Sequence, residues 1–179
     1  MNFWLNLFFY QASFYACILG AKYQHPWIGL LLTLLFFIVQ LYLVRDRKKH
    51  VVVVVAIFAM GIVIESISTL CGVMNFSAVS GWFYLLPPWY IGLWLGYAMS
   101  VEFSLNIIFR KQWVTLVCAL ILPAVYYFSQ DLGVITLYKP VEVGLLIIFS
   151  LWYVMLNMTR IILSIADAQF TGEADEDKP

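Results

Sequence analysis

Charge is scarce in this chain. Only 11% of its 179 residues are Asp, Glu, Lys or Arg, and acids and bases balance at ten each. With no net charge, no global field recruits nucleic acid, and no basic, aromatic-interleaved surface offers a binding face for it. Histidine is nearly absent too. His25 and His50 fall on opposite sides of the expected membrane layout, which argues against a His-based metal site. There is no HExxH, no phosphate-binding glycine loop and no GxSxG. No cofactor or metal is therefore implied. The three cysteines, Cys17, Cys71 and Cys118, each sit in an apolar run without a CxxC partner. They read as small buried hydrophobes. Cys17 and Cys71 fall near the same membrane face, so a disulfide between them stays open. No internal repeat is visible, so the sequence gives no sign of the inverted symmetry of many transporters.

What the chain has is apolar length. Hydrophobic residues make up 64% and aromatics 18%. A soluble globular chain is closer to half apolar and a quarter charged. The expected fold class is thus all-α, a polytopic membrane helix bundle. Crossing the hydrocarbon core takes about 20 helical residues. Six runs suit that length, at about 3–20, 26–44, 51–72, 88–109, 113–129 and 140–163. The run Val51–Val55 would suggest a strand in water. In lipid a lone strand leaves its backbone unsatisfied, so helix is expected. The first run lacks a basic leader and carries Gln11, so it reads as a span rather than a signal peptide. A six-helix domain over 1–166 would be followed by an acidic, disordered tail over 167–179.

Orientation follows from Lys and Arg near the span ends. The run "RDRKKH" (Arg45 to His50) follows the second span, and Arg110 and Lys111 follow the fourth. These loops, and with them both termini, are expected in the cytoplasm of a bacterial cell, with the protein multi-pass in its inner membrane. Lys22, beyond the first span, is a dissenting signal that the four basic residues after the second span outweigh. Trp4 and Trp113 fit an inner aromatic belt, and Trp27, Trp82 and Trp89 an outer one. The uncharged aromatic connection from Met74 to Pro88 reads as an interfacial or re-entrant cap on the outer face. Pro123 is expected to kink the fifth span.

A few residues resist a packing explanation. Glu65 stands in an apolar helix with Gly61, Ser68, Thr69 and Gly72 on the same face. Small residues admit a neighbouring helix, so this stripe should face the bundle. An ionised carboxylate in hydrocarbon costs about 2.5 kcal/mol or more on insertion scales, so Glu65 must be paired, watered or protonated. It is the first candidate catalytic residue, as an acid or proton carrier. The competing reading is a neutral acid that ties helices together. Glu102 is a second, weaker catalytic candidate. It should differ from Glu65 in depth by ~10 Å, so the two cannot share one proton. Gly92, Gly96, Ser100 and Ser104 form a small-residue ridge on the fourth span, which leaves a homodimer open. Asn106 lies one turn from Glu102. For Arg160 two readings stand, an ion pair with Glu102 or snorkelling to the interface. Gln11 is expected to hydrogen-bond near mid-membrane. Gln11, Ser66, Ser68, Trp89, Trp94, Asn106 and Arg160 complete the candidate pocket.

The order of "FFYQASFYACILGA", "HPWIG", "IESISTLCGVMNF", "PPWYIGLWLGYAMSVEFSLNIIF" and "LILPAVYYFSQDLGV" resembles the bacterial membrane family catalogued as domain of unknown function 2878, over residues 3 to about 165. The resemblance implies an acid followed by Ser where Glu65 and Ser66 stand. It also implies Asn-His-Ser where this chain has Glu102-Phe103-Ser104, a departure that weakens Glu102. Members of that family are encoded near fatty-acid-modifying enzymes. The resemblance thus points to membrane lipid as ligand and to a lipid-modifying enzyme as partner. Three functions are carried forward: an enzyme or accessory factor in fatty-acyl metabolism, a small proton-coupled transporter or flippase, and a structural partner of another membrane enzyme.

Overall fold

The computed structural model describes residues 1–76, 86–137 and 140–176, with 171–176 as backbone only. Its helices are α1 (Phe3–Lys22), α2 (Pro26–Leu43), α3 (Arg47–Leu70), α4 (Pro88–Ser100), α5 (Asn106–Phe109), α6 (Gln112–Asp131) and α7 (Val141–Glu176). Two short strands, β1 (Met74–Phe76) and β2 (Ile135–Leu137), pair antiparallel. Among the described residues, four helices are long and apolar enough to cross a membrane: α2, α3, α6 and α7 up to Phe170. The Trp82 position and most of the expected interfacial cap, residues 77–85, lie outside the described residues.

Local chemistry sets the helix ends. The Asn2 side chain accepts from the Trp4 amide, and Asp46 from the Lys49 amide. Pro26 and Pro88 open α2 and α4, where a missing N–H costs nothing. The valine run lies inside α3. The ends of α3 and α6 are built alike. Gly72 and Gly133 take φ of +72° and +74°. The Gly72 and Val73 amides bond Thr69 and Ser68 carbonyls, and the Gly133 and Val134 amides bond Gln130 and Ser129 carbonyls. Both are helix C-caps that need glycine for the left-handed turn. Each cap then feeds a strand. Asn75 and Thr136, each three residues past its glycine, pair at the centre of the ladder. A local two-fold therefore relates the two helix ends. The repeat escapes the sequence reading because the segments "STLCGVMNF" and "SQDLGVITL" share only Ser, Gly and Val.

α4 is the hub. It packs on α1, α2 and α3, while α7 packs on α3 and α6. Glycine makes the close approaches. A Cβ at Gly29 would lie 2.4 Å from Cys17 Cα, and one at Gly92 would lie 2.9 Å from Cys17 Sγ. α1 thus wedges Cys17 between α2 and α4. The Gly92–Gly96 ridge is used inside the chain, facing α1 and α2. A Cβ at Gly61 would lie 2.1 Å from the Trp94 ring, so the α3 stripe does face α4. Neighbouring helices alternate in direction. The α1 start, the α2 end, the α3 start and the α4 end meet at one pole, here the basic end, and α7 reaches it through Asp167. The other pole, the strand end, carries β1 and β2.

Several expectations are corrected. The run 88–109 is not one helix. It breaks after Ser100, turns through 101–105 and resumes as α5. Trp89 is 1% exposed, a core residue and not a belt residue. Helix continues past 167 to Glu176, and Asp167 forms a salt bridge with Lys49, 2.6 Å away. All three cysteines are free, and Cys71 is exposed while Cys17 is buried.

Candidate functional site

Glu65 is 4% exposed and lies among donors rather than cations. The Tyr126 hydroxyl donates to Glu65 Oε1 at 2.7 Å. The Trp152 indole donates to the Tyr126 oxygen at 2.9 Å. The Tyr90 hydroxyl lies 2.8 Å from that of Tyr126. Four elements build this cluster: α3 gives Glu65, α4 Tyr90, α6 Tyr126 and α7 Trp152. Trp94 stacks on Trp152, centroids 5.2 Å apart and planes 12° from parallel, and so fixes its donor. The local two-fold explains the meeting of Glu65 with Tyr126. Each stands seven residues before its capping glycine. Ser68 and Ser129, four before, both bond back to the carbonyl one turn earlier. Tyr90 and Tyr126 were missed in the sequence, where aromatics in apolar helices look like core.

Tyr90, Tyr126 and Trp152 form one wall of an apolar cavity of about 240 Å³. α1 and α6 form its two sides, through residues such as Phe14 and Leu122, and α4 forms its back. Ile121, on its rim, is exposed. Trp89 and Trp94 line it. Glu65 does not line it. The Tyr126 hydroxyl, on the cavity wall, links it to the carboxyl, which lines a separate small cavity with Ser68, Ile148 and Leu151.

The basic end holds a second polar group. His50, fully buried, places Nδ1 2.5 Å from Glu102 Oε2. Lys49 Nζ lies 3.9 Å from Glu102 Oε1 and 2.6 Å from Asp167. Glu102 thus pairs with α3, not with Arg160, whose Nη1 donates to Gln112 Oε1 at 2.9 Å. The reason is the break in α4, which turns Glu102 away from α7's outer face. The break also frees backbone groups, and polar side chains answer them. Asn6 Nδ2 and Gln40 Nε2 donate to the Met99 carbonyl at 3.3 and 2.8 Å. Asn6 Oδ1 accepts from the Ser104 amide at 3.1 Å. Asn6, at the basic end, is the α1 amide that bonds inside the bundle. Gln11 is exposed, two residues and about 200° around the helix from buried Ser13. Asn106 only bonds back to the Glu102 carbonyl, at 3.4 Å, and Ser66 is half-buried outside the Glu65 cluster. Glu65 and His50 are fifteen residues apart on α3, about 22 Å by helical rise, so the two polar groups are separate. Among the described residues no three His, Cys, Asp or Glu side chains converge as a metal set.

Helix content and four membrane-length apolar helices among the described residues define an all-α membrane protein. The chain belongs to the family described as "Protein of unknown function (DUF2878)", which matches residues 3–158. No curated protein and no solved structure matches the chain.

Proposed function

We propose that this protein crosses a bacterial inner membrane six times and acts on, or presents, an acyl lipid held in the cavity between α1 and α6. In this reading α1 and the broken α4–α5 unit join the four longer helices as spans. The basic end faces the cytoplasm with both termini, because Arg45, Arg47, Lys48, Lys49, Arg110 and Lys111 gather there. The observation that carries the proposal is an apolar cavity whose polar wall, Tyr90–Tyr126, is backed by a buried carboxyl. Such a wall suits acid–base work on a ligand. The Tyr126 oxygen would accept a proton from the ligand while its own hydroxyl proton passes to Glu65. The reverse passage returns it. Glu65 then acts through Tyr126 and never touches the ligand.

Lipid extracts compared by mass spectrometry test this. Deletion should remove or shift a lipid species. Wild type should restore it, and Glu65→Gln and Tyr126→Phe should not. Full restoration by both variants would dismiss the relay, and an unchanged profile on deletion would dismiss the lipid reading. The broken α4 and the repeated helix ends favour proton-coupled transport as the second reading, since both features recur in transporters. Uptake into vesicles, lost with Glu65→Gln, would choose it.

A further inference from the structure

Two further cavities meet at Ser68. One, of about 10 Å³, is lined by Glu65, Ser68, Tyr126 and Trp152 and by apolar residues. The other, of about 470 Å³, is a groove between the last turn of α3 and the start of α7 at the strand end. Ser68, Val73 and Leu151 line both. Ile67, Cys71 and Val143 line the groove alone and are exposed, so they mark its mouth. Tyr126 and Trp152 belong to the small cavity and also to the large one between α1 and α6. Glu65 therefore stands between the groove and the large cavity.

The space beside Glu65 has the size of a single water, and part of its wall is polar. Glu65, Ser68 and Tyr126 are enough hydrogen-bonding groups to hold one. The Ser68 hydroxyl donates to the Ile64 carbonyl and keeps its lone pairs to accept. Tyr126 engages Oε1 of the carboxyl. Depth favours the same side. Glu65 lies five residues from the α3 end at Leu70, ~8 Å by helical rise, but eighteen from its start at Arg47, ~27 Å.

We infer that one water bridges Glu65 and Ser68, and that through it Glu65 exchanges protons with solvent at the strand end, by way of the α3–α7 groove. The Glu65 O–H bond breaks, the water takes the proton and passes it along the groove, and the carboxylate stays behind with the Tyr126 hydroxyl donating to it. The reverse step restores the acid. The inference rests on the acid–base reading above and gives it a side. A proton taken from a ligand in the large cavity leaves at the strand end, not at the basic end.

The test uses the full-length purified protein in lipid nanodiscs, moved from water to deuterated buffer under an infrared beam. The pH is set low enough to protonate Glu65. Its carboxyl C=O band, identified by its loss in Glu65→Gln, should shift before the helical amides exchange. Ser68→Val brings two methyl groups to a cavity with room for one water, and it should slow that shift about tenfold. Ser68→Ala and Tyr126→Phe should leave it fast. In a background with Cys71 and Cys118 changed to Ala, Ser68→Cys should react with a charged methanethiosulfonate. Val63→Cys, exposed on the same helix and lining neither cavity, should not. A wild-type carboxyl that exchanges no faster than the helical amides overturns the inference, whether or not the variants fold. Fast exchange that Ser68→Val leaves untouched, or that Tyr126→Phe abolishes, overturns the route, as does an unreactive Ser68→Cys. Slow exchange with the lipid change intact would leave the relay standing and remove its outlet. Fast, Ser68-dependent exchange with no lipid change in the deletion strain would sink the acid–base reading and leave the water path standing.

Discussion

Glu65 can be a proton carrier or a structural tie, and the two roles respond differently to small changes. The carboxyl accepts from the Tyr126 hydroxyl, which lies 2.8 Å from that of Tyr90. Glu65→Gln keeps the shape and leaves a carbonyl to accept from Tyr126. A structural tie therefore survives that change, and a proton carrier does not. Tyr126→Phe strips the Trp152 indole and the Glu65 carboxyl of a partner in one step. Thermal unfolding in detergent should show Tyr126→Phe destabilised by about 1–3 kcal/mol, with Glu65→Gln near wild type. Equal loss in both would mean that an amide at this position cannot hold the Tyr126 hydroxyl as the carboxyl does. Glu65 itself was legible in the sequence, because apolar packing does not account for an acid among small residues in a membrane-length helix. Its phenol partners were not. A tyrosine in an apolar run is as easily core as site, and only the fold shows that Tyr126 stands opposite Glu65.

At the scale of elements, the break in α4 has a cause in the spacing of polar residues. Ser100, Glu102, Ser104 and Asn106 follow at every second position. On a continuous helix those polar groups would fall on two opposite faces, so that one pair faced lipid. Turning through 101–105 gathers them on the inside, where the freed backbone finds Asn6 and Gln40. Irregular backbone at membrane depth survives only when protein satisfies it in this way. Asn6→Ala removes acceptors from the Ser104 amide and hydroxyl and a donor from the Met99 carbonyl. It should cost about 1–3 kcal/mol and speed hydrogen exchange at Ser104 and Leu105, read by mass spectrometry. Unchanged exchange there would mean that Gln40 alone holds the turn. Apolar run length told where helix lies, but not that one run breaks, because hydropathy averages over the alternation that signals it.

Over the whole molecule, the two helical hairpins share their ends as well as their caps. "PWIG" opens α2 and "PWYIG" opens α4, and Gly29 and Gly92 both close on Cys17. The extra residue in α4 is Tyr90, which joins the Glu65 cluster. Hairpins repeated in the same sense, with paired strands at one pole, fit an axis along the membrane normal. With the proposed orientation, that axis predicts a topology that can be checked directly. Lys22, Lys48 and Lys111 are exposed, the first at the strand end and the others at the basic end. In a background with Cys17, Cys71 and Cys118 changed to Ala, single Cys replacements at these three positions report sidedness. A membrane-impermeant maleimide applied to intact cells, with the outer membrane opened, should label Lys22→Cys at once. Lys48→Cys and Lys111→Cys should label only after the inner membrane is permeabilised. Labelling of all three from one side would break the alternation of α1, α2 and α3 across the bilayer. Reversed labelling would leave the fold intact and move the Trp89 end of the cavity from the outer leaflet to the inner.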